Sequence, residues 1–272
     1  MPESFSALIE QVRLKKPLVH HITNYVTVND CANITLAIGG SPIMADDMEE
    51  AGDIARIASA VVLNMGTLSE RTIPSMLAAG RAANEAGIPV ILDPVGAGAS
   101  ELRNKTAARL INEVKLHILR GNISEIRFLA GLASETKGVD ASDNDLRSVG
   151  DAESVAKPLA DRLGCVVAIT GAADVVSDGK RVIRIENGHP MLSRITGTGC
   201  MCSSLMGAFC GAVSGDPLSA AAAALLTMGI AGEIAYERAG QAGTGSFRVA
   251  LHDAVSHMDS KILGERGKFY EA

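Results

Sequence analysis

Four times in this chain a mostly apolar run of three to five residues stops at a small or polar turn, and after the first three a helix-length segment follows. The runs are VVLNMG at 61–66, IPVILDPVGAG at 88–98, KLHILRGN at 115–122 and VVAITG at 166–171. A strand covered on both faces reads as unbroken Val, Ile and Leu, whereas a half-solvated strand alternates apolar with polar. Continuous runs separated by helices therefore describe parallel strands with crossover helices on both sides of a sheet. That architecture also fixes where chemistry can occur, because an open α/β sheet gathers ligands outside the carboxyl ends of its strands.

The remaining segments fit the same plan. KPLVHH at 16–21 begins the sheet, VNDCANITLAIGG at 28–40 reads as a helix closing near Gly39, and SPIMA at 41–45 returns to extended chain. SERTIPSMLAAGRAANEAG at 69–87 is mainly helical, and DVVSDGKRVIRIENG at 174–188 reads as two strands around an Asp-Gly turn. SEIRFLAG at 124–131 starts a helix that Ser124 can cap, with Glu125 too close to Ser124 for a capping box. Pro158 demands a kink or a late start for the helix in 151–164. The polar stretch 134–150 reads as an insertion or connection. From Cys200 onward the pattern is mostly helical, and no linker-like tract divides the chain, so one domain over 1–272 is expected.

Aromatic residues make up only 3 % of the sequence against 47 % hydrophobic, leaving the core to Ala, Val, Ile and Leu. A net charge of −6 without a dense basic tract argues against nucleic acid as partner. The cysteines, Cys31, Cys165, Cys200, Cys202 and Cys210, are odd in number and spaced for neither disulfides nor zinc. No secretory signal opens the sequence, and the apolar stretch 218–232 reads as too short for a comfortable membrane span, ending against Glu233. A cytoplasmic protein acting on a small molecule, with no membrane partner, is the expectation.

Candidate chemistry lies in the turns. Asp93 and Arg120 each follow a strand, and Glu125 sits near the next helix start. Two carboxylates there can organise Mg²⁺, directly or through water, while Arg120 meets a phosphate oxygen and Thr170 donates a hydrogen bond. Gly197, Thr198 and Gly199 open a helix, whose first amides lack intrahelical acceptors and reach an anion without interference from a Cβ. Cys200 stands beside that anion turn, where a thiolate can accept a proton from an alcohol. Each residue also has a plain structural reading: a packed thiol, a solvated strand end, a turn hydroxyl.

Taken together, HHITNYVTVNDCAN at 20–33, GGSPIMA at 39–45, ILDPVGAGAS at 91–100, ILRGNISEI at 118–126, VAITG at 167–171, NGHPML at 187–192 and TGTGC at 196–200 resemble the hydroxyethylthiazole kinases of the ribokinase-like superfamily. The resemblance implies a three-layer α/β/α sandwich with a central, mostly parallel sheet. It implies transfer of the γ-phosphate of ATP to the primary hydroxyl of 4-methyl-5-(2-hydroxyethyl)thiazole, with Mg²⁺. It assigns Met44, Asn24 and Gly197 to the thiazole, Cys200 to the acceptor side, Arg120 and Thr170 to ATP, and Asp93 and Glu125 to the metal. It also implies a homotrimer with pockets between subunits. Competing classes are a kinase for another small primary alcohol, such as a pyrimidine precursor, a nucleotide-dependent hydro-lyase, and a silent ligand-binding protein.

Overall fold

A computed structural model describes residues 2–132, 149–213 and 215–271. Nine strands form one sheet: β1 Leu18–Ile22, β2 Ser41–Ile43, β3 Ala60–Asn64, β4 Val90–Asp93, β5 Ile118–Asn122, β6 Val166–Thr170, β7 Asp174–Ser177, β8 Val182–Ile185 and β9 Phe269–Glu271. The order is β2-β1-β3-β4-β5-β6-β7-β8-β9. The first six strands are parallel, and β7, β8 and β9 extend the sheet in antiparallel steps. Every one of the four apolar runs is a parallel strand, and the Asp-Gly segment is the β7–β8 hairpin.

The helices are α1 Pro2–Lys15, α2 Val28–Ile38, α3 Ala51–Ile57, α4 Thr72–Glu85, α5 Glu101–Glu113, α6 Ile123–Leu129, α7 Val149–Leu163, α8 Thr198–Ala212, α9 Pro217–Ala239, α10 Thr244–Ser256 and α11 Ser260–Arg266. They cover both faces. Val19, Val62, Ile91 and Ile118 point into one core with Ile34 of α2, Phe209 of α8 and Phe247 of α10. Their sequence neighbours Leu63, Leu92 and Leu119 point into the other, with Met76 of α4, Leu110 of α5 and Leu159 of α7. Strand side chains alternate in direction, so a run apolar at every position needs two such layers.

Two local expectations change, and a third falls outside what the structure describes. Residues 134–148 of the polar stretch lie outside the described residues. Of the kink or late start expected at Pro158, the late start is absent: α7 runs Val149–Leu163 with Pro158 inside it. The stretch 218–232 is part of a 23-residue helix, α9, that runs through Glu233 and is by length and hydropathy able to cross a bilayer. Its apolar window is instead 89 % buried inside the protein, because α9 packs between α8 and α10 and needs an apolar surface all round.

Helix α8 is seated by a missing side chain. A Cβ on Gly207 would come within 2.7 Å of Val62 and 2.8 Å of Val19, so the helix lies flush on β1 and β3. That seating carries the α8 N-terminus over the carboxyl ends of the strands.

Beneath the same sheet edge, β1 buries His20 and His21 completely. His20 donates from Nε2 to the Ala45 carbonyl at 2.7 Å, and His21 from Nδ1 to the Val19 carbonyl at 3.0 Å, which leaves one bare ring nitrogen on each. Burial lowers both pKa values, His21 to about 4. The unfolded chain therefore takes its proton first as pH falls below about 6.5, and the fold loses stability down to about 4. For His21 alone the loss is about 3 kcal/mol over that window. Urea midpoints at pH 7.5 and 5 check this: His21→Leu is expected to flatten the difference, and an unchanged slope would reject His21 as its source.

Candidate active site

The carboxyl ends of β1, β3, β4, β5 and β6 converge under the α8 N-terminus. Asp93 closes β4 and is fully buried. Its Oδ2 accepts from Ser203 Oγ at 2.7 Å, Asn64 Nδ2 at 3.1 Å and Arg120 Nη1 at 3.4 Å, while Oδ1 has no partner. Burial raises its pKa, opposed by Arg120, Ser203 and Asn64. Arg120, on β5, also donates to Thr170 Oγ1 at the end of β6. Burial works against the Arg120 charge, but Asp93 and other nearby groups outweigh it and the guanidinium holds its proton more tightly than usual. The guanidinium lies against α8: a Cβ on Gly199 would meet Nη1 at 2.5 Å.

Glu125 has a different local origin from the one expected. The cap of α6 is Asn122, not Ser124, and Asn122 and Glu125 make the reciprocal capping box that the spacing from Ser124 had excluded. Glu125 Oε2 accepts from Asn122 N at 2.9 Å and Oε1 from Gly96 N at 2.7 Å. The carboxylate is thus fixed toward the β4 turn by two backbone amides. Burial, reinforced by the Asp93 charge, raises its pKa to about 7.

On the other side of Asp93 a chain of amides leads to Cys200. Asn64 ends β3 in register with Asp93. Its Oδ1 accepts from Gly66 N at 2.9 Å and from Asn24 Nδ2 at 3.0 Å. Asn24 donates from the same nitrogen to Cys200 Sγ at 3.3 Å, and its Oδ1 accepts from Thr27 N and Oγ1, both at 3.1 Å. Cys200 is partly buried; burial and the Asp93 charge raise its pKa, while Thr27, Asn24 and Asn64 lower it. Before it, Gly197 caps α8 with φ +88°.

Asp93, Arg120, Thr170, Asn24 and Cys200 are therefore joined in one hydrogen-bonded group, with Glu125 and Gly197 at its margins. Met44 is not part of that group: it follows β2 at the sheet edge, partly buried. Asn64, Ser203 and Thr27 escaped the sequence reading. Asn64 carried a usable signal, since VVLNMG ends on a polar residue at the strand position where VILDP carries Asp93. Ser203 carried none, being one hydroxyl in an apolar helix. A cleft of about 330 Å³ opens beside the Gly197 turn between Val26, Asp30, Ile195, Thr196 and Arg248, without reaching Cys200.

Asp93 and Glu125 meet the demands of Mg²⁺ in part. A buried carboxylate oxygen without a partner, Oδ1 of Asp93, is a ligand atom in waiting, and Glu125 retains lone pairs beyond its two amide bonds. Among the described residues no three His, Cys, Asp or Glu side chains form a closed metal cage. Mg²⁺ commonly takes one or two carboxylates and completes its shell with water and phosphate oxygens, so two fit.

Residues 9–261 match the hydroxyethylthiazole kinase family. The chain is 59 % identical to the hydroxyethylthiazole kinase of Ruminiclostridium cellulolyticum over 269 residues, covering 99 % of this chain and 98 % of that one. It is 50 % identical to that of Methanocella arvoryzae, covering 93 % and 92 %. The hydroxyethylthiazole kinase structure from Pyrococcus horikoshii OT3 superposes with a TM-score of 0.90 at 39 % identity, covering 99 % of both chains. The Bacillus subtilis pyridoxal kinase structure, at 17 % identity and TM-score 0.60 over 79 % of this chain and 90 % of that one, shares the fold.

Proposed function

The chain belongs to the hydroxyethylthiazole kinase family, and from that membership we infer that it phosphorylates the primary hydroxyl of 4-methyl-5-(2-hydroxyethyl)thiazole with ATP, making the thiazole phosphate used for thiamine. The observation that carries the reading beyond family likeness is the joined group itself: an acceptor-side thiol and amide tied through Asn64 to a buried acid and arginine.

Phosphoryl transfer passes through a loose transition state, so alignment and charge neutralisation contribute more than early removal of the alcohol proton. Arg120 supplies a cation at the α8 turn for the transferring phosphate, and Thr170 holds the guanidinium in place. The amides that open α8 face the same oxygens, with Gly197 letting the turn form. Asp93 and Glu125 would hold Mg²⁺, which when bound neutralises charge on the nucleotide phosphates. Asn24 orients the Cys200 sulfur on the acceptor side, and the fraction of Cys200 present as thiolate takes the hydroxyl proton as the oxygen attacks. Burial keeps that thiol mostly protonated, so its contribution is assistance. Met44 contributes apolar surface to the thiazole pocket.

The whole chain acts as one kinase domain in the cytoplasm, in keeping with five free thiols among its described residues. It assembles as a homotrimer with active sites between subunits. Tyr25, Val26, Leu36 and Met48 are each more than half exposed on or beside α2 and the β2 edge, giving the apolar surface such an interface needs. Sedimentation velocity tests the trimer; a monomer at micromolar concentration would reject it.

Incubation of the protein with ATP, Mg²⁺ and the thiazole should add a phosphate to the thiazole mass, and hydroxymethylpyrimidine offered in competition should not displace it. Cys200→Ala should lower kcat by about 10- to 100-fold with ATP affinity unchanged. A matching loss of ATP affinity would reassign Cys200 to the turn.

A further inference from the structure

The orientation of a side-chain amide is set by whichever of its atoms has no choice of partner. Backbone N–H groups have no choice. The N–H of Gly66 points at Asn64 Oδ1, which turns Asn64 Nδ2 toward Asp93. The N–H and hydroxyl of Thr27 point at Asn24 Oδ1, which turns Asn24 Nδ2 toward both Asn64 Oδ1 and Cys200. Asn24 is also confined from above. A Cβ on Gly66 would lie 2.6 Å from Asn24 Nδ2 and 2.7 Å from its Cγ, so the backbone at residue 66 presses flat against the amide. Gly66 does not have a positive φ, so the absence of a side chain there answers to space and not to backbone strain. Asn24 and Asn64 are 4 % and 1 % exposed, which leaves little water to replace a lost partner.

From this geometry we propose that Asn64 and Gly66, at the end of β3, are positioning residues that clamp the Asn24 amide with its N–H aimed at Cys200, so setting the reactivity of the thiol on the acceptor side. The proposal rests on the kinase reading for what the thiol does, and on the hydrogen bonds alone for how it is held. An N–H directed at sulfur favours the thiolate over the thiol, since hydrogen bonds to a charged acceptor are the stronger. A clamp that keeps it there makes Cys200 more reactive than a free-swinging Asn24 would.

Two variants attack the clamp from opposite sides. Gly66→Ala drives a methyl into the Asn24 amide, and Asn64→Ala removes its acceptor without adding bulk. Both should lower kcat by about 30-fold with the KM for ATP within about threefold of wild type, as expected when an acceptor is misplaced by a fraction of an ångström. Iodoacetamide labelling at one fixed pH reads the thiol directly, because the other four cysteines are buried. Cys200 should label at least about threefold more slowly in each variant. An unchanged or faster rate in both overturns the proposal.

The third arm places each change in a Cys200→Ala background. Residues acting through one group are non-additive, so the further loss should shrink to less than about threefold. A full 30-fold loss there would mean that Asn64 and Gly66 act through Asp93 or the fold, and would also overturn it. Circular dichroism and melting temperature exclude unfolding, and Asn64→Ala stands if Gly66→Ala does not fold. If the wild-type protein makes no thiazole phosphate, the kinase reading fails while the labelling arm still decides the clamp.

Discussion

Arg120→Met is expected to reduce kcat for thiazole phosphorylation by about a thousandfold, at the lower end of what removing an arginine from a phosphoryl-transfer site costs. Methionine fills the volume of the side chain but brings neither charge nor donors. The phosphate would lose the cation held against Gly199, and Thr170 would lose the guanidinium bonded to its hydroxyl. Asp93 would lose its ion-pair partner in a site where its side chain is 1 % exposed. Stranding one member of a buried pair costs about 3 kcal/mol or more. Asp93 has an escape, because burial already raises its pKa and loss of Arg120 raises it further, so it can take a proton. The stability deficit should therefore be larger at pH 8 than at pH 6, as measured by urea midpoints. Arg120→Lys restores the charge but not the fork that reaches Asp93 and Thr170 together, and should recover only part of the rate. A kcat for Arg120→Met within tenfold of wild type would remove Arg120 from the chemistry.

How far the sequence revealed this site depends on whether local pattern or long-range partners fix each feature. The parallel strands were legible because two-sided burial leaves a continuous apolar run, and β3, β4, β5 and β6 fall on the four runs. Asp93, Arg120 and Thr170 were legible as polar residues at or near the ends of such runs, and Gly197 as a glycine opening a helix. The cap of α6 was misread because Asn122 serves both as the last residue of β5 and as the first anchor of the helix, and the reading looked two residues too late. The amide chain was not legible at all: Asn24 and Asn64 are 40 positions apart and Asn24 and Cys200 are 176 apart. No local periodicity reports a bond of that span. The stretch 218–232 was set aside as a bilayer span because it read as too short, whereas the helix that contains it is long enough and is instead buried by its neighbours, which length alone does not report.

Gly197→Ala is the second large effect, expected to lower kcat/KM for ATP by between about a hundredfold and a thousandfold, comparable to losing a preorganised backbone donor. One methyl group acts here through two causes. At φ +88° an L-residue costs about 1–2 kcal/mol, so the turn that aims the first amides of α8 relaxes away from its anion-binding shape. The new Cβ would also lie 2.7 Å from Thr27 Cγ2, and Thr27 holds Asn24 through its amide and hydroxyl. Strain in the turn should weaken nucleotide binding, and the push on Thr27 should disturb the acceptor side. Thr27→Ser separates the two, since serine keeps the hydroxyl and lacks the methyl. In the Gly197→Ala background it should restore about tenfold of kcat while nucleotide affinity stays poor. Gly197→Asn runs the reverse comparison, because asparagine tolerates positive φ but still carries a Cβ toward Thr27. It should keep nucleotide affinity closer to wild type and still lose kcat. Equal affinities for ATP in Gly197→Ala and the wild type would show that the α8 turn does not hold the phosphates.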